Sequence, residues 1–296
     1  MAPFVRVVEF PRSTSTPGKV ADAVLMFVFS HYIFWWVFFV VPLVALWKVA
    51  GPYVGMTALC LYFSPLWFFN GASKGKGMLL SWLYNSSAFR YVNQYCNMTF
   101  AAEAELPADR PYLFCFAPHG ILCVHRIGLL GHTLSQLFPG VVGRFAAASP
   151  QFMIPGCREV CLWLGALDAN RKTLDAAFDR NESVLLWPGG SKEIFLTDVT
   201  EKSTTLYIND RKGFVKLAMR KGVDLVPVFV FGEQRVVTKL AVPGWQKFLK
   251  WTKIPLVLFW GRYFTWLPRV VDDEGRDINI KFAFGAPIPV EAVPEE

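Results

Sequence analysis

Charge is scarce in this sequence of 296 residues: Asp, Glu, Lys and Arg make up 18% of it, where roughly a quarter is ordinary for a soluble domain. Two consecutive windows, Ala23–Trp47 and Val49–Ser73, hold no charged residue at all, and Lys48 alone separates them. Histidine is scarcer, with four residues, and His119 and His125 lack the spacing of metal ligands on one helix face, which argues against a zinc site. The six cysteines include no C-x2-C pair and fit a reduced, cytosol-facing domain. No G-x-S-x-G elbow, Walker-A loop, G-x-G-x-x-G turn or H-E-x-x-H helix occurs. Those absences disfavour serine hydrolases, nucleotide hydrolases, nicotinamide enzymes and zinc peptidases.

What the chain has in excess is apolar and aromatic surface: 53% hydrophobic residues and 16% aromatic, with 27 Phe and 11 Trp. Disorder and low-complexity architectures are thereby excluded. The excess is concentrated at the N-terminal end. Residues 1–100 carry seven Lys/Arg against two Asp/Glu, whereas residues 101–296 carry 23 against 21. The positive excess therefore flanks the apolar windows, where it would meet anionic headgroups. A nucleic-acid partner would ask instead for a basic patch on the folded part, and none is expected.

An α-helix needs roughly 20 apolar residues to span a bilayer. Val24–Trp47 is long enough, and Tyr53–Phe69, with Gly55 and Pro65, is a shorter second candidate; Gly51 and Pro52 supply a turn between them. The pair predicts a hairpin that either crosses twice or dips in and returns, in preference to one crossing helix followed by a buried segment. Arg6, Arg12 and Lys19 before it, and Lys74 and Lys76 after it, place both ends in the cytosol. Trp35, Trp36, Trp47 and Trp67 are candidate interfacial anchors. The expected organisation is a cytosolic tail over 1–22, a transmembrane or re-entrant hairpin over 23–73, a membrane-proximal linker over 74–104 and a folded domain over 105–296.

From about residue 101 short apolar runs alternate with amphipathic stretches. Strands are expected at Tyr112–Phe116, Val184–Trp187, Leu225–Phe231 and Ile278–Phe284. Helices are expected at Ile121–Leu137, Arg158–Leu164, Arg171–Arg180, Lys212–Lys221 and Gly244–Lys253. The alternation argues an α/β fold, a mixed sheet flanked by helices. Sites in such sheets gather where strands end and helices begin. Two strand ends carry suggestive residues: Phe116-Ala117-Pro118-His119-Gly120, and Trp187-Pro188-Gly189-Gly190-Ser191-Lys192-Glu193. His119 alone among the histidines falls on a strand-to-helix turn. It can serve as a base near neutral pH, or merely cap the following helix. The segment Arg211–Glu233 reads as a basic amphipathic helix ending at Gly222, followed by a buried strand. Arg211, Lys212 and Lys216 can bind phosphate there or be solvated on an exposed face.

Taken together these motifs resemble the type-2 diacylglycerol acyltransferase family, which includes monoacylglycerol and wax-alcohol acyltransferases. The pattern Arg-x-Gly-Phe-x-Lys-x-Ala-x-x-x-Gly-x-x-Leu-Val-Pro-Val-x-x-Phe-Gly-Glu over Arg211–Glu233 is similar to the family's longest signature. Pro118-His119-Gly120 resembles its His-Pro-His-Gly motif, with Ala117 replacing the first histidine. Leu137–Gly140, Pro188-Gly189-Gly190 with Glu193, and Gly285-x-Pro287-Ile288-Pro289 match in order. The Tyr-Phe-Pro motif has no clean counterpart near Tyr91-Val92-Asn93, and Val124 stands where wider glycerolipid acyltransferases place the aspartate of H-x4-D.

The resemblance implies a glycerolipid-acyltransferase-like sheet behind the membrane hairpin. It implies acyl transfer from acyl-CoA to diacylglycerol, with acyl-CoA as substrate and no cofactor or metal. The endoplasmic reticulum membrane is the expected location, with the lipid-droplet surface as a second one and membrane lipid as a partner; self-association is left open. In the site it implies, His119 is the base and Glu193 the carboxylate holding its imidazole, with Asp168 and Glu233 as weaker choices. Backbone N–H groups at Gly120, Gly189 and Gly190 face the oxyanion, and Arg211, Lys212 and Lys216 hold phosphate. Monoacylglycerol, a long-chain alcohol or a sterol are alternative acceptors. A non-catalytic lipid-droplet hairpin protein is the alternative of another class.

Overall fold

In the computed structural model, residues 4–196, 204–240 and 258–293 are described. The strands are β1 (Arg6–Glu9), β2 (Thr99–Ala102), β3 (Tyr112–Ala117), β4 (Gly143–Ala147), β5 (Ala166–Asp168), β6 (Ser183–Leu186), β7 (Asp224–Phe231), β8 (Thr238–Lys239), β9 (Phe259–Trp260) and β10 (Lys281–Phe284). Eight of them form one sheet in the order β1-β2-β10-β7-β3-β6-β4-β5, while β8 and β9 form a separate ribbon. From β7 to β5 every pairing is parallel. β10 runs antiparallel to β7 and parallel to β2, and β1 closes that edge antiparallel to β2. The sheet is mixed and flanked by helices, as the alternation of patterns predicts.

The central strands are apolar on both faces because helices cover both. β3 is buried at five of its six residues, the pattern of a strand inside a parallel sheet. One face holds an aromatic cluster in which Phe100 stacks on Phe282 at 4.2 Å and Phe116 on Trp187 at 4.6 Å. The other packs Leu113, Leu167 and Val184 against Leu174, Ala177 and Leu217 of two helices, Arg171–Asp179 and Gly213–Lys221. Both helices match the sequence expectation to within a residue or so.

Several expectations change. Arg6–Glu9, expected within a tail, is a sheet strand, and β2 lies within the expected linker. The helix expected over Ile121–Leu137 is two short ones, His125–Gly128 and Thr133–Leu137. Backbone φ of +57° at Cys123, +65° at Gly131 and +70° at His132 interrupts it; left-handed residues cannot continue a right-handed helix. The expected strand over Ile278–Phe284 is confined to β10. The helix expected over Gly244–Lys253 and the side chains of Trp35 and Trp36 lie outside what is described.

The apolar N-terminal region is three helices: α1 (Thr16–Ser30), α2 (Trp36–Ala50) and α3 (Pro52–Tyr62). The side chain of Ser15 caps α1 by accepting from the Gly18 N–H. Met26 and Phe29 anchor α1 in the main core, Phe29 lying 4.8 Å from Phe89. The uncharged window Ala23–Trp47 is thus divided between a docked helix and a projecting one, with a break at residues 31–35. α2 and α3 form a hairpin through Gly51, whose φ is +89°. Gly55 lets the two helices touch, since a Cβ there would lie 2.8 Å from that of Trp47. No helix among the described residues is long and apolar enough to cross a membrane. The 15 residues of α2 rise about 22 Å, short of the roughly 30 Å of a hydrocarbon core.

Candidate active site

The C-terminal ends of β7, β3 and β6, three adjacent strands, converge on one region. β3 stops at Ala117 because Pro118 has no N–H to continue the ladder. His119 follows directly and keeps part of its surface accessible. From the end of β6, Pro188-Gly189-Gly190 leads into the helix Gly190–Leu196, which carries Glu193. From the end of β7, Gly232 leads to Glu233.

Glu193 is 1% exposed. Its Oε2 accepts from the His119 backbone N–H at 2.5 Å, and its Oε1 accepts from the Tyr207 backbone N–H at 2.9 Å. The structure therefore brings Glu193 to His119, as expected, but onto the main chain instead of the imidazole. Gly189 is needed for this approach: a Cβ there would sit 2.4 Å from Oε2. The imidazole takes its orientation from its own neighbour, with Nδ1 2.9 Å from the Gly120 carbonyl oxygen. A carbonyl only accepts, so Nδ1 carries the proton and Nε2 presents its lone pair. Burial and the nearby Arg126 cation lower the His119 pKa to about 4. The ring is neutral at physiological pH, with the Nε2 lone pair unprotonated.

Gly120, with φ +69°, is pressed against Glu233, where a Cβ would fall 2.4 Å from Cγ. Glu233 serves the neighbouring turn. Its Oε1 accepts from the Val124 N–H at 2.9 Å, and its Oε2 lies 3.2 Å from His125 Nδ1. That second approach is poorly aligned, and neither atom completes a hydrogen bond among the described residues. The Trp187 indole N–H donates to His125 Nε2 at 2.5 Å. Burial disfavours charge on His125, while Cys123 and Glu233 favour it. The contact decides the tautomer: an indole only donates, so Nε2 must be unprotonated and the ring's single proton faces Glu233. This buried His125–Glu233–Trp187 group is absent from the sequence reading, which placed His125 inside a continuous helix. The signal for it was the Gly-Glu that ends the long signature.

The other expected residues separate. The Gly190 N–H is taken up by the Trp187 carbonyl at 3.1 Å, which removes it from the expected oxyanion donors. Asp168 accepts from Ser149 and from the Asn170 N–H in a turn beyond β5. The Arg211 guanidinium lies over the Tyr207 ring at 5.3 Å, and its Nη2 would be 3.9 Å from a Cβ on Gly190. That puts Arg211 beside the Gly-Gly turn. Lys192 joins it, donating to the Tyr207 hydroxyl at 3.1 Å. Lys212 is exposed at the start of its helix. Lys216 lines a groove of about 350 Å³ with Arg171, Phe214 and Arg220. The described residues contain no group of three His, Cys, Asp or Glu able to hold a metal ion.

The geometry offers a neutral imidazole with an open Nε2 and a cation at the adjoining turn. That set suits proton abstraction from a hydroxyl with an oxyanion forming nearby. The profile of the diacylglycerol acyltransferase family matches residues 53–295, which include all of it. The 2-acylglycerol O-acyltransferase 3 of Homo sapiens is 30% identical over 236 residues, covering 72% of this chain and 69% of that protein. The diacylglycerol O-acyltransferase 2 of Bos taurus is 31% identical over 215 residues, covering 68% of this chain and 59% of that protein. Over 92% of this chain and 87% of its own, the crystal structure of a 1-acyl-sn-glycerophosphate acyltransferase from Thermotoga maritima aligns with a TM-score of 0.37 at 12% identity; the fold rests on the strand order above. With 243 of its 296 residues inside the family profile, the chain belongs to the diacylglycerol acyltransferase family and is, by that membership, an acyltransferase.

Proposed function

We propose that the protein transfers a fatty acyl group from acyl-CoA to the free hydroxyl of diacylglycerol, giving triacylglycerol and CoA. The observation that carries this is the open Nε2 of His119, at the strand end where the family's histidine motif is matched. The acceptor hydroxyl oxygen attacks the thioester carbon while Nε2 takes its proton. Gly120 and Gly189 N–H groups stabilise the tetrahedral oxyanion. The C–S bond then breaks, and the imidazolium returns the proton to the departing CoA thiolate. Glu193 fixes the loop on which His119 stands, and Arg211 offers a cation for the CoA phosphates.

The site works beside an apolar phase in this reading. Phe38, Val49 and Tyr53 of the α2–α3 hairpin are 73%, 88% and 87% exposed. A surface of that kind supports insertion into one leaflet of the endoplasmic reticulum membrane or a droplet monolayer, with both chain ends on the cytosolic side. A dip without crossing agrees with the short α2. Introducing Phe38→Glu with Val49→Glu should reduce the fraction that floats with phosphatidylcholine liposomes by several-fold; unchanged flotation would rule the hairpin out as the anchor.

Monoacylglycerol is the second acceptor to weigh, because one of the relatives carries the name of a 2-acylglycerol acyltransferase. Labelled acyl-CoA offered to membranes with diacylglycerol, monoacylglycerol, hexadecanol or cholesterol decides between them. His119→Ala membranes are the control. Activity on none of the four would refute the proposal.

A further inference from the structure

Beyond β9 the chain enters a closed loop over residues 261–267. The Gly261 N–H donates to the Thr265 carbonyl at 2.6 Å, and the Arg262 N–H donates to the Leu267 carbonyl at 2.7 Å, so the loop is braced across its width. Two adjacent aromatic residues, Tyr263 and Phe264, form its tip with φ of +54° and +56°. Bulky side chains rarely adopt that left-handed backbone, which is strained for them. The rings gain little in return from the core, since they are 74% and 84% exposed. A braced loop that holds two apolar rings outward on a strained backbone is shaped to meet something outside the fold.

The neighbours of the loop indicate its partner. The Trp266 N–H donates to His31 Nε2 at 3.1 Å, and the Trp266 ring lies 4.7 Å from that of Phe34. His31 and Phe34 occupy the break between α1 and α2, so the loop is fixed at the root of the projecting apolar hairpin. The Arg262 guanidinium donates to the Tyr263 hydroxyl at 3.0 Å, which sets a cation and a phenol beside the tip. Aromatic rings with a polar edge and a cation next to them suit the headgroup boundary of a bilayer, apolar on one side and wet on the other. We propose that the Tyr263–Phe264 tip is a second lipid contact, its rings lodged among phospholipid headgroups beside the hairpin and Arg262 at the level of the phosphates. A hairpin alone leaves the folded domain free to tilt over the surface. A second contact, tied to the hairpin root through His31 and Trp266, restricts that tilt. The inference rests on the reading of α2–α3 as the inserted hairpin, but different residues test it.

The test is co-flotation of the full chain, synthesised in the presence of phosphatidylcholine liposomes, with the partition coefficient taken from a lipid titration. It is run on the parent and on the Phe38→Glu/Val49→Glu chain. In both backgrounds Tyr263→Gln with Phe264→Gln should lower the coefficient roughly tenfold or more, as the loss of two buried aromatic rings allows. Where the hairpin variant binds no lipid at all, the parent background decides. Phe264→Trp should retain the parent coefficient, because an indole suits the same depth. Phe264→Gly should weaken partition without lowering the thermal unfolding midpoint in detergent, since glycine accepts φ of +56° freely. A ring needed for folding would lower both. Partition unchanged by the glutamine pair would overturn the proposal and leave the tip to a protein partner. A loss of partition that always comes with a lower unfolding midpoint would overturn it too. If the hairpin substitutions have no effect while the glutamine pair abolishes flotation, the hairpin reading fails and this contact stands. If the hairpin substitutions act and the glutamine pair does not, the reverse holds.

Discussion

Two histidines six residues apart, on one loop at the end of one strand, occupy opposite situations. His125 is fully buried, with Trp187 on one ring nitrogen and Glu233 facing the other. His119 keeps accessible surface, with its Nδ1 on Gly120 and its Nε2 open. Each is associated with a buried glutamate, but differently. Glu233 faces the imidazole of His125, whereas Glu193 grips the backbone of His119. A carboxylate near a histidine therefore does not by itself mark the reacting one. The marker is a ring nitrogen with a lone pair and room for a substrate, and only His119 has it of the two.

The comparison is broken most directly at His119. Removing a general base costs roughly 10²–10⁴ in rate, so His119→Ala should lower acyl transfer by that factor while the protein still accumulates. Initial rates normalised to protein in membranes check this. A variant within tenfold of the parent would transfer the role away from His119.

Glu193→Gln should come next. Two backbone N–H groups converge on the carboxylate, and a glutamine turns its amide N–H₂ toward one of them. Hydrogen bonds to a buried charge contribute about 1.5–3 kcal/mol, so a misplaced His119 should cost roughly 10- to 100-fold in kcat. KM for acyl-CoA should move little, because the carboxylate faces the loop and not the donor. A rise in KM with kcat unchanged would show that Glu193 acts on substrate binding.

His125→Ala should show the reverse division between rate and stability. It strands the Trp187 N–H and leaves Glu233 facing a void, at about 1–3 kcal/mol for each buried polar group left unpaired. Thermal unfolding should shift down by roughly 2–4 °C per kcal/mol for a chain of this size, while the rate per folded molecule stays within several-fold. If activity vanishes with no loss of stability, the two histidines have exchanged roles.

The difference between them was only partly legible in the sequence. Strand ends could be read because β3, β6 and β7 are apolar runs that stop at Pro118, Pro188 and Gly232, and those stops locate His119, the Gly-Gly turn and Glu233. The partner of each glutamate could not be read, since Glu193 and Glu233 both follow glycines at neighbouring strand ends. What separates them is strand order and the turn geometry of Gly120 and Cys123, and that geometry comes from long-range packing. The same limit explains the hairpin. Ala23–Trp47 is uninterrupted in charge, yet Met26 and Phe29 pack into the core while Phe38 and Val44 face outward. Apolar composition alone does not distinguish protein interior from a lipid-facing surface. The edge strand β1 and its neighbour β2 were missed because four residues carry too little alternation to stand out.

The pH dependence sharpens the comparison with the smallest change. Burial and the Arg126 cation both disfavour the imidazolium of His119 and hold its pKa near 4. The neutral, base-competent form is therefore full above about pH 6 and is lost as pH falls through 4. An unperturbed histidine, with a pKa near 6.5, would already have lost half of its base form at pH 6.5. The profile of kcat/KM should thus stay flat from about pH 8 to 6 and decline only on further acidification. Arg126→Gln removes the repelling cation, so its acid limb should move up toward that of an ordinary histidine. A parent profile that already bends near pH 6.5 would place the working base in an open, uncharged setting, contrary to the surroundings of His119.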